Sequence, residues 1–415
     1  MLSEKINLLK QDELVKGSII LFLLLMIFNF LNYVFQISMA KLLGPADYGV
    51  LAVLMSFIYI ISIPSEAIQT IISKYTSKFN SNNNLGEMKD LLLRSLKKGV
   101  MLSFIAFLIF LPIALVLSKF LNIEFWLIAI TGLSIFYVFI IPILRGIIQG
   151  RKKFVGLGIN LVLESFIKVI ASILLVVIGF RVYGAMFGLL IAFLIAFILA
   201  FYPIKGITQS IRKRSEFKEV YSANFPVLIA ITSVILIYSL DIILARRFFS
   251  PEIAGQYAFV SLIGKVVIFS SSAIGKAMFP ISSENFENGK RTSGLLKKAL
   301  ILVSLISVVA LFFYITIPKL VIIILSLGSQ QYLYGANILF TLGLAFSFVS
   351  LSNILILYNI SINKMKKSSF GLIVFVILEI ILLSIFNSNL REFSIALLFV
   401  SFIMMIYSII ITKLK

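Results

Sequence analysis

The sequence predicts an all-α membrane protein that crosses the bilayer about 12 times, in two pseudo-symmetric six-helix bundles around a central cavity. Hydrophobic residues make up 60% of the 415 residues and charged residues only 13%, whereas soluble domains have about 45–50% apolar and about 25% charged residues. Apolar runs of about 20 residues, the length that crosses a hydrocarbon core of about 30 Å, recur along the whole chain. A turn sequence that returns after half the chain indicates two related halves.

Twelve apolar runs are long enough to serve as spans, six in each half of the chain. The predicted spans are residues 17–39, 48–72, 99–117, 125–144, 156–179, 182–204, 223–245, 257–279, 299–317, 335–362, 370–386 and 394–411. Residues 319–335 are left open as part of a span. We therefore expect an N-terminal six-helix bundle over residues 1–205, a basic cytoplasmic linker over residues 206–221, and a C-terminal six-helix bundle over residues 222–415.

The turn after the first span of each half has a recurring sequence. It reads KLLGPADYG in the first half and RRFFSPEIAG in the second, so Pro45 aligns with Pro251 and Gly49 with Gly255, each pair 206 residues apart. Because six crossings return the chain to its starting side, the halves are expected to be parallel repeats related by an axis along the membrane normal. This arrangement is typical of transporters that rock one lobe against the other.

The net charge of +20 is concentrated on one predicted face of the membrane. Of the 37 Lys and Arg residues, 28 lie in connections on one side, 7 on the other, and 2 inside spans. By the positive-inside rule, the chain is a multi-pass protein of the cell membrane with both termini in the cytoplasm. The basic excess is therefore mostly a topology signal, and nucleic acid is not an expected partner.

Two absent residue types narrow the chemistry. The chain has no Cys, which excludes disulfides and thiolate metal sites, and no His, the commonest general base and metal ligand. We therefore expect no catalytic residues, no metal site and no cofactor. A glycan polymerase or ligase is the alternative of enzyme class. It is disfavoured because such enzymes need a substantial external loop to hold donor and acceptor, whereas every predicted external connection is short.

Polar side chains inside the predicted spans are the functional candidates, because such groups are costly at membrane depth and usually face a cavity or a partner. The ionisable candidates are Glu66, Glu164, Lys168, Asp241, Lys265 and Glu379, together with Arg145 at the inner end of the fourth span. The first span adds Asn29, Asn32 and Gln36, whose spacing of three and four residues places them on one helix face. Glu66 follows Pro64, where a lost backbone hydrogen bond favours a kink.

The candidates of the first half have structural alternatives. Glu164 and Lys168 are four residues apart on one helix face, so they either neutralise each other or face a cavity, and the cavity role is favoured. Arg145, at the inner end of the fourth span, either contacts substrate or extends to the membrane surface. The polar stripe on the first span is more often a contact between helices than a ligand site.

The candidates of the second half leave similar choices open. Asp241 and Lys265 either form an interhelical ion pair or take part in ion coupling. Glu379 has no cation on its own helix, so it is either protonated in the apolar interior or a proton or cation site. Since Glu379 aligns with the fifth-span glutamate of the first half, Lys168 falls opposite Leu383. A mid-depth cation on one lobe alone suits an anionic cargo, because Lys and Arg attract phosphate groups.

These features together resemble a known family. The stretch AKLLGPADYGVLA at residues 40–52 matches the pattern ARLLGPxDYGxxA that follows a polar-striped first span, and RGIIQGRKKF at residues 145–154 comes with it. The chain resembles the Wzx-type polysaccharide repeat-unit flippases of the multidrug/oligosaccharidyl-lipid/polysaccharide (MOP) exporter superfamily over essentially its full length. The resemblance implies a MATE-like fold. It also implies a flippase that moves a polyprenyl-diphosphate-linked oligosaccharide from the cytoplasmic to the outer leaflet.

The resemblance also implies roles for residues. Basic residues of the N-terminal lobe attract the diphosphate in such families, a role that would fall to Lys168 and Arg145, with the polar stripe of the first span lining the same cavity. Acidic residues there are linked to coupling with H+ or Na+, a role open to Glu66, Glu164 or Glu379. The pair Asp241 and Lys265 is a further candidate for ion coupling.

Partners follow from the same resemblance. We expect a lipid-linked oligosaccharide and membrane lipid, with glycosyltransferases or a polymerase of glycan assembly as further candidates. Two alternatives remain on the same scaffold, a cation-coupled exporter of drugs or metabolites and a flippase for a peptidoglycan-precursor lipid. The basic residues inside the predicted spans argue against cationic drugs as cargo.

Overall fold

The computed structural model describes residues 2–214, 225–362, 364–365 and 368–413, and within these ranges every regular element is a helix. Ten of the described helical segments are long and apolar enough to cross a membrane. Two of them, Ile20–Ser81 with 62 residues and Phe154–Thr208 with 55 residues, are each long enough for two crossings. Each of the twelve predicted spans coincides with one of the ten segments to within a few residues, and the prediction of an all-α polytopic protein is confirmed.

The first half of the chain forms eight helices. They are α1 Leu2–Ile61, α2 Ile63–Ser81, α3 Leu85–Leu121, α4 Phe125–Gly132, α5 Ser134–Gly150, α6 Phe154–Leu175, α7 Arg181–Ala200 and α8 Lys205–Thr208. The second half forms eight more. They are α9 Phe225–Phe248, α10 Pro251–Gly264, α11 Val266–Glu287, α12 Ser293–Thr316, α13 Pro318–Leu325, α14 Ala336–Ser361, α15 Ser368–Ile385 and α16 Leu390–Lys413. Residues 319–335 hold the short α13 and a 3₁₀ turn at Gln330–Gly335.

The recurring turn breaks the helix at the same place in both halves. In the first half Gly44 has φ 71° and ψ 173°, a conformation that suits glycine, and Pro45 starts the next helical stretch within α1. In the second half Ser250 caps α10, where its side chain accepts a hydrogen bond from the backbone nitrogen of Ile253, and Pro251 is the first helical residue. The shared proline therefore begins a helix in each half.

By its internal contacts the chain divides into two compact units. Unit 1 comprises residues 1–42 and 61–223, and unit 2 comprises residues 43–60 and 224–415. The stretch 43–60 belongs to the first half in sequence, yet its contacts place it in unit 2. The predicted domain boundaries stay a prediction, because most of the expected linker at residues 206–221 lies outside the described residues.

Unit 1 is built on two groups of helices, a pair and a group of three. Helix α6 packs along α7, and α5 packs on both α2 and α3. The core of the second group contains Ile72, Met88 and Ile147, all fully buried. Since α5 and α6 follow each other in the chain and also touch, side chains on their facing surfaces meet inside unit 1.

The first residues after α8 fold back onto the start of α3. The backbone nitrogen of Lys213 donates to the carbonyl of Gly86 at 3.1 Å, and Lys89 Nζ donates to the carbonyl of Ser210 at 2.7 Å. Asp90, which is buried, accepts a hydrogen bond from Arg212 Nε at 2.8 Å and also pairs with a neighbouring arginine on α3. The beginning of the predicted linker is therefore anchored to unit 1.

Unit 2 is organised around α14, which packs against α10, α11, α12 and α16, while α15 packs along α9. The stretch 43–60 joins this unit through Tyr48, whose ring lies edge-on to Phe259 and Tyr332 at centroid distances of 5.8 and 6.2 Å. A Cβ atom on Gly49 would lie 2.9 Å from Cα of Gly255. The two glycines that align in the repeat are therefore in backbone contact with each other.

Candidate functional site

A buried polar network connects α5 and α6 in unit 1. Arg145 of α5 is only 7% exposed, and its Nη2 forms an ion pair with the carboxylate of Glu164 on α6. Its Nε donates to Oδ1 of Asn160 at 2.9 Å, and its Nη1 donates to the hydroxyl of Tyr137 at 2.9 Å. All three nitrogen atoms of the guanidinium thus have a hydrogen-bond acceptor, which is the condition under which a buried arginine is tolerated.

The partners of Arg145 are themselves held in place. The Tyr137 hydroxyl donates a hydrogen bond to Glu164, and its ring stacks on Phe193 with centroids 3.7 Å apart and planes inclined by 10°. Asn160 Nδ2 donates to the carbonyl of Ala196 on α7 at 2.8 Å. The network therefore fixes the orientation of the guanidinium from three helices, α5, α6 and α7.

Helical spacing explains why these residues meet. Asn160, Glu164 and Lys168 follow each other at intervals of four residues, so they line one face of α6. Tyr137 and Arg145 are eight residues apart on α5, which also places them on one face. The contact between α5 and α6 brings these two polar faces together.

A second part of the network links α6 to α1. Lys168, 7% exposed, donates from Nζ to Oδ1 of Asn32, and the Nζ atom lies 4.7 Å from the centroid of the Phe35 ring. Asn32 Nδ2 donates to the hydroxyl of Ser165 at 3.2 Å and to the carbonyl of Phe28 at 2.8 Å. The Lys168 ammonium is thus held by a neutral amide and an aromatic face, and no carboxylate of the described residues is within ion-pair distance of it.

This geometry decides between several of the alternatives open in the sequence. Glu164 forms its ion pair with Arg145 rather than with Lys168. Arg145 does not extend to a surface, because its side chain is buried. Of the polar stripe on α1, Asn32 joins the network, Gln36 is buried, and Asn29 is exposed. The structure therefore gathers Arg145, Glu164, Lys168 and Asn32 into one cluster.

Glu66 lies apart from this cluster. It sits in the first turn of α2, where it is exposed, and its backbone carbonyl accepts a hydrogen bond from Thr70 Oγ1 at 2.8 Å. The helix breaks at Ser62, just before Pro64, as the lost backbone hydrogen bond predicts. The predicted part of Glu66 in ion coupling stays a prediction.

Unit 2 has its own buried cluster around Asp241 of α9. Lys265, at the junction of α10 and α11, donates to both carboxylate oxygens of Asp241 at 3.0 and 3.1 Å. Ser261 Oγ and the Tyr257 hydroxyl donate to the same carboxylate at 2.6 and 3.3 Å. Lys265 Nζ also lies 5.0 Å from the centroid of the Phe346 ring. The sequence-based alternative of an interhelical ion pair is what the structure shows.

Glu379 of α15 is the other buried acid of unit 2. Its side chain is fully buried, and neither carboxyl oxygen has a hydrogen-bond partner among the described residues. Its electrostatic neighbours are Asp241 and Lys265. Unit 2 therefore contains one carboxylate with four hydrogen bonds beside a second carboxyl group with none.

Several residues of these clusters were not singled out in the sequence. Asn160 precedes Glu164 by one helical turn, and Tyr137 precedes Arg145 by two, so a search for polar residues along the same helix face would have found them. Ser261 likewise lies one turn before Lys265. Phe193 gave no signal, because its stacking on Tyr137 crosses between helices that are far apart in the chain.

Across the described part of the chain, no three or more Asp or Glu side chains converge in a way that could hold a metal ion. The buried acids are instead served by Lys, Arg, Tyr and Ser donors, apart from Glu379.

Comparison with known proteins places this geometry in a family. A family model described as "Polysaccharide biosynthesis protein" matches residues 14–286, about two-thirds of the chain. The chain belongs to this polysaccharide biosynthesis family. The matched residues include the whole unit 1 network together with Asp241 and Lys265, whereas Glu379 lies beyond them. Among curated proteins, no sequence gives a significant match.

Solved structures agree on the fold of this family member. A multidrug resistance MATE family transporter of the MOP superfamily in an inward-facing conformation aligns with a TM-score of 0.78 at 14% identity, over 93% of this chain and 94% of that chain. The outward-facing conformation aligns with a TM-score of 0.64 at 14% identity, over 97% and 95%. A MOP superfamily transporter from Pyrococcus furiosus aligns with a TM-score of 0.56 at 14% identity, over 97% and 95%.

These comparisons confirm the predicted resemblance. The polysaccharide biosynthesis family contains the Wzx-type flippases, and the fold is that of MATE transporters. The protein is therefore a multi-pass membrane protein of the polysaccharide biosynthesis family with the fold of MATE transporters.

Proposed function

We propose that this transporter is a flippase for an oligosaccharide linked to a polyprenyl diphosphate, which it moves from the cytoplasmic to the outer leaflet of the cell membrane by ion-coupled alternating access. The observation that carries the proposal is the net positive charge of the buried unit 1 network. Arg145 is balanced by Glu164, but Lys168 is held by the neutral amide of Asn32, so among the described residues one positive charge has no carboxylate in direct contact. An anionic head group supplies the missing negative counter-charge.

The physical need for such a protein comes from the membrane barrier. A diphosphate that carries several sugars cannot cross hydrocarbon unaided, because each unpaired polar group costs several kcal/mol there and each charge far more. The lipid tail can stay in the bilayer, so only the head group needs a polar path. A buried cation whose neutral hydrogen-bond partners can be exchanged for phosphate oxygens lowers the free-energy cost of bringing the diphosphate into the membrane.

Lys168 is the residue we assign to first contact with the diphosphate. Its hydrogen bond to the Asn32 amide can be exchanged for one to a phosphate oxygen, which adds a charge-assisted bond without leaving a buried charge unpaired. Arg145 has a different part, because an anion would have to compete with Glu164 for it. We assign Arg145 and Tyr137 to holding the α5–α6 surface in shape and to a second contact once Glu164 is displaced.

The orientation of the protein belongs to the same proposal. The four-to-one excess of Lys and Arg on one face supports cytoplasmic termini in the cell membrane. Loading of the cargo from the cytoplasmic leaflet follows from this orientation. The partners of the protein are then glycosyltransferases that build the oligosaccharide at the cytoplasmic leaflet and a polymerase that extends it at the outer leaflet.

The test replaces the charge of Lys168. Lys168→Ala is expected to abolish surface glycan in cells at an unchanged level of membrane protein, whereas Lys168→Arg keeps the charge and is expected to retain export. Surface glycan is measured by lectin or antibody labelling, and head-group flipping by the accessibility of a fluorescent diphosphate-linked glycolipid in proteoliposomes. Full export by Lys168→Ala would contradict the assignment.

A second function is favoured by the fold alone. The aligned MATE structures are of multidrug resistance transporters, and an exporter of small molecules could use the same scaffold. The uncompensated cation beside Asn32 disfavours cationic drugs as cargo. Unchanged drug sensitivity of a deletion strain that has lost surface glycan would separate the two functions.

A further inference from the structure

Helix α12 of unit 2 carries a groove of about 470 Å³ whose described lining residues all lie on that one helix. Ser293 and Lys297 line one end, near the start of α12, and the groove continues to Val308 along side chains that are apolar except for Ser304. The lining positions follow each other at intervals of one and three residues, so they form a continuous stripe along the helix. The stripe joins a charged end to an apolar course, which is the chemical pattern of a lipid.

The groove lies on the side of α12 that unit 2 leaves uncovered. The opposite side of the helix holds the buried residues Ala299 and Val303, and α12 packs there on α11 and α14. In the groove, Ile301, Leu305 and Val308 are 49%, 56% and 63% exposed. Because lipid tails are as apolar as these side chains, the hydrocarbon of the membrane is the natural surrounding of this face.

The position of the groove along α12 matches the depth of one leaflet. The predicted span begins at Ala299, so Lys297 lies just outside the hydrocarbon, and Val308 lies about 14 Å inside it at about 1.5 Å per residue. Half of a hydrocarbon core of about 30 Å is about 15 Å. The groove therefore extends from the membrane surface to the middle of the bilayer, which is the reach of an acyl chain of one leaflet.

The Lys297 ammonium is the charged group at the surface end of the groove. It is exposed, and no hydrogen bond or ion pair to another described residue occupies it. Its exposed ionisable neighbours in the chain are Glu284, Glu287, Lys290, Arg291 and Lys298. With Lys297 this makes four cations against two acids, and such a surplus of positive charge attracts anionic head groups to a membrane surface.

Charge and length together favour one occupant over two others. A phosphodiester carries one negative charge, which matches the single lysine in the groove, whereas a diphosphate carries two. A polyprenyl tail is also longer than a groove that ends in the middle of the bilayer. A second copy of the chain, related by a two-fold axis along the membrane normal, would bring two Lys297 side chains to the same depth, where like charges repel.

We propose that the groove on α12 is a binding site for an anionic phospholipid, with the phosphodiester on the Lys297 ammonium and one acyl chain along the stripe from Leu300 to Val308. The Ser293 hydroxyl is the second donor available to a phosphate oxygen. In the proposed topology the lipid comes from the cytoplasmic leaflet. The site does not depend on the proposed cargo, because it uses no residue of the unit 1 network.

The two ends of the groove contribute different properties. The Lys297 ammonium forms a charge-assisted hydrogen bond to the phosphodiester, which a lipid without net charge cannot match because its own cationic group competes. The apolar stripe positions the chain but adds little affinity, since the same chain makes equal contacts with other lipids in the bilayer. A preference for the anionic head group is therefore the property that distinguishes this site from ordinary lipid contact.

Native mass spectrometry of the full chain, purified in detergent with added lipid, measures this preference. The probes are dioleoylphosphatidylglycerol, which is anionic, and dioleoylphosphatidylcholine, which has the same acyl chains and no net charge. We expect the wild type to bind phosphatidylglycerol about fivefold more tightly than phosphatidylcholine, the contribution of one lysine near a membrane surface. Lys297→Gln should abolish most of this preference, whereas Lys297→Arg keeps the charge and should retain it.

The residue next to Lys297 supplies the matched control. Lys298→Gln removes the same charge from an exposed position, but the side chain points about 100° away around the helix and does not line the groove. We expect Lys298→Gln to keep the wild-type preference. Melting curves without added lipid check that both variants fold, which is expected because both positions are exposed.

A second pair of variants tests the apolar part of the site. Ser304 is smaller than the leucine and isoleucine side chains beside it, so Ser304→Trp is expected to fill the groove while Lys297 stays in place. We expect this variant to lose the preference for phosphatidylglycerol. Val309→Trp is the control, since Val309 is 55% exposed on the same helix and does not line the groove.

Several results would overturn the site. Equal losses in Lys297→Gln and Lys298→Gln would show a general attraction to the basic surface. Equal binding of the two phospholipids by the wild type, or an unchanged preference in Ser304→Trp, would remove the head-group contact or the groove. Displacement of phosphatidylglycerol by an equal concentration of a polyprenyl diphosphate would assign the groove to the cargo lipid. A dimer that only Ser304→Trp dissociates would assign it to a second copy.

Discussion

The Arg145 guanidinium and the Glu164 carboxylate form an ion pair in which the side chains are only 9% and 11% exposed. They lie on successive helices, 19 residues apart in the chain. Tyr137 contacts both members, because its hydroxyl accepts from Arg145 and donates to Glu164. The three side chains therefore behave as one unit, and a change to one of them changes the environment of the other two.

Removing one member of this ion pair should cost more stability than removing both. Glu164→Leu leaves the Arg145 guanidinium buried without its counter-charge, and we expect the free energy of unfolding to fall by about 3–5 kcal/mol. The double variant Arg145→Leu and Glu164→Leu removes the uncompensated charge and should recover most of the loss. Denaturant titration in mixed micelles measures the double variant and both single variants, Glu164→Leu and Arg145→Leu, and additive effects of the two single changes would contradict the pairing.

Tyr137→Phe isolates the hydroxyl from the ring. The phenylalanine keeps the stacking on Phe193, but Arg145 loses one hydrogen-bond acceptor and Glu164 one donor. We expect a loss of about 1–3 kcal/mol in the free energy of unfolding. Tyr202→Phe is the control, since Tyr202 is 84% exposed and should give no measurable change. Equal melting temperatures for the two variants would show that the hydroxyl has no such role.

Gly255→Ala should disrupt unit 2 because its Cβ atom would overlap the carbonyl oxygen of Pro45. We expect loss of surface glycan together with a lower melting temperature of the purified protein. Gly294→Ala is the control, since a Cβ atom at that helical position meets nothing within 4 Å and alanine favours the helix. Wild-type export and stability in Gly255→Ala would disprove the close backbone contact.

The membrane spans could be predicted because their signal is local. Each needs only a run of about 20 apolar residues, and the twelve predicted spans coincide with the described helices to within a few residues. The ion pair of Asp241 and Lys265 was one of the alternatives that the sequence offered, because a buried acid and a buried base on adjacent spans have few other partners. The spans after the turns were predicted to begin at residues 48 and 257, whereas the helical stretches begin at Pro45 and Pro251, because proline suits the first turn of a helix.

The partner of Arg145 could not be predicted in this way. Local spacing favoured Glu164 with Lys168, which are one turn apart on α6, whereas the observed pair depends on how α5 rotates against α6. The isolation of Glu379 is also a tertiary property, because it depends on Lys265 being already occupied by Asp241. Likewise, chain order assigned residues 43–60 to the first half, but their packing assigns them to unit 2.

The contact between Gly49 and Gly255 has a consequence for the history of the two repeats. Each glycine leaves room for the backbone of the other copy, so a larger residue acquired by one copy is excluded by the main chain of its twin and not by any side chain that could adjust. At this point the duplicated segments cannot diverge independently. A larger residue at either position would require the main chain of both copies to move apart.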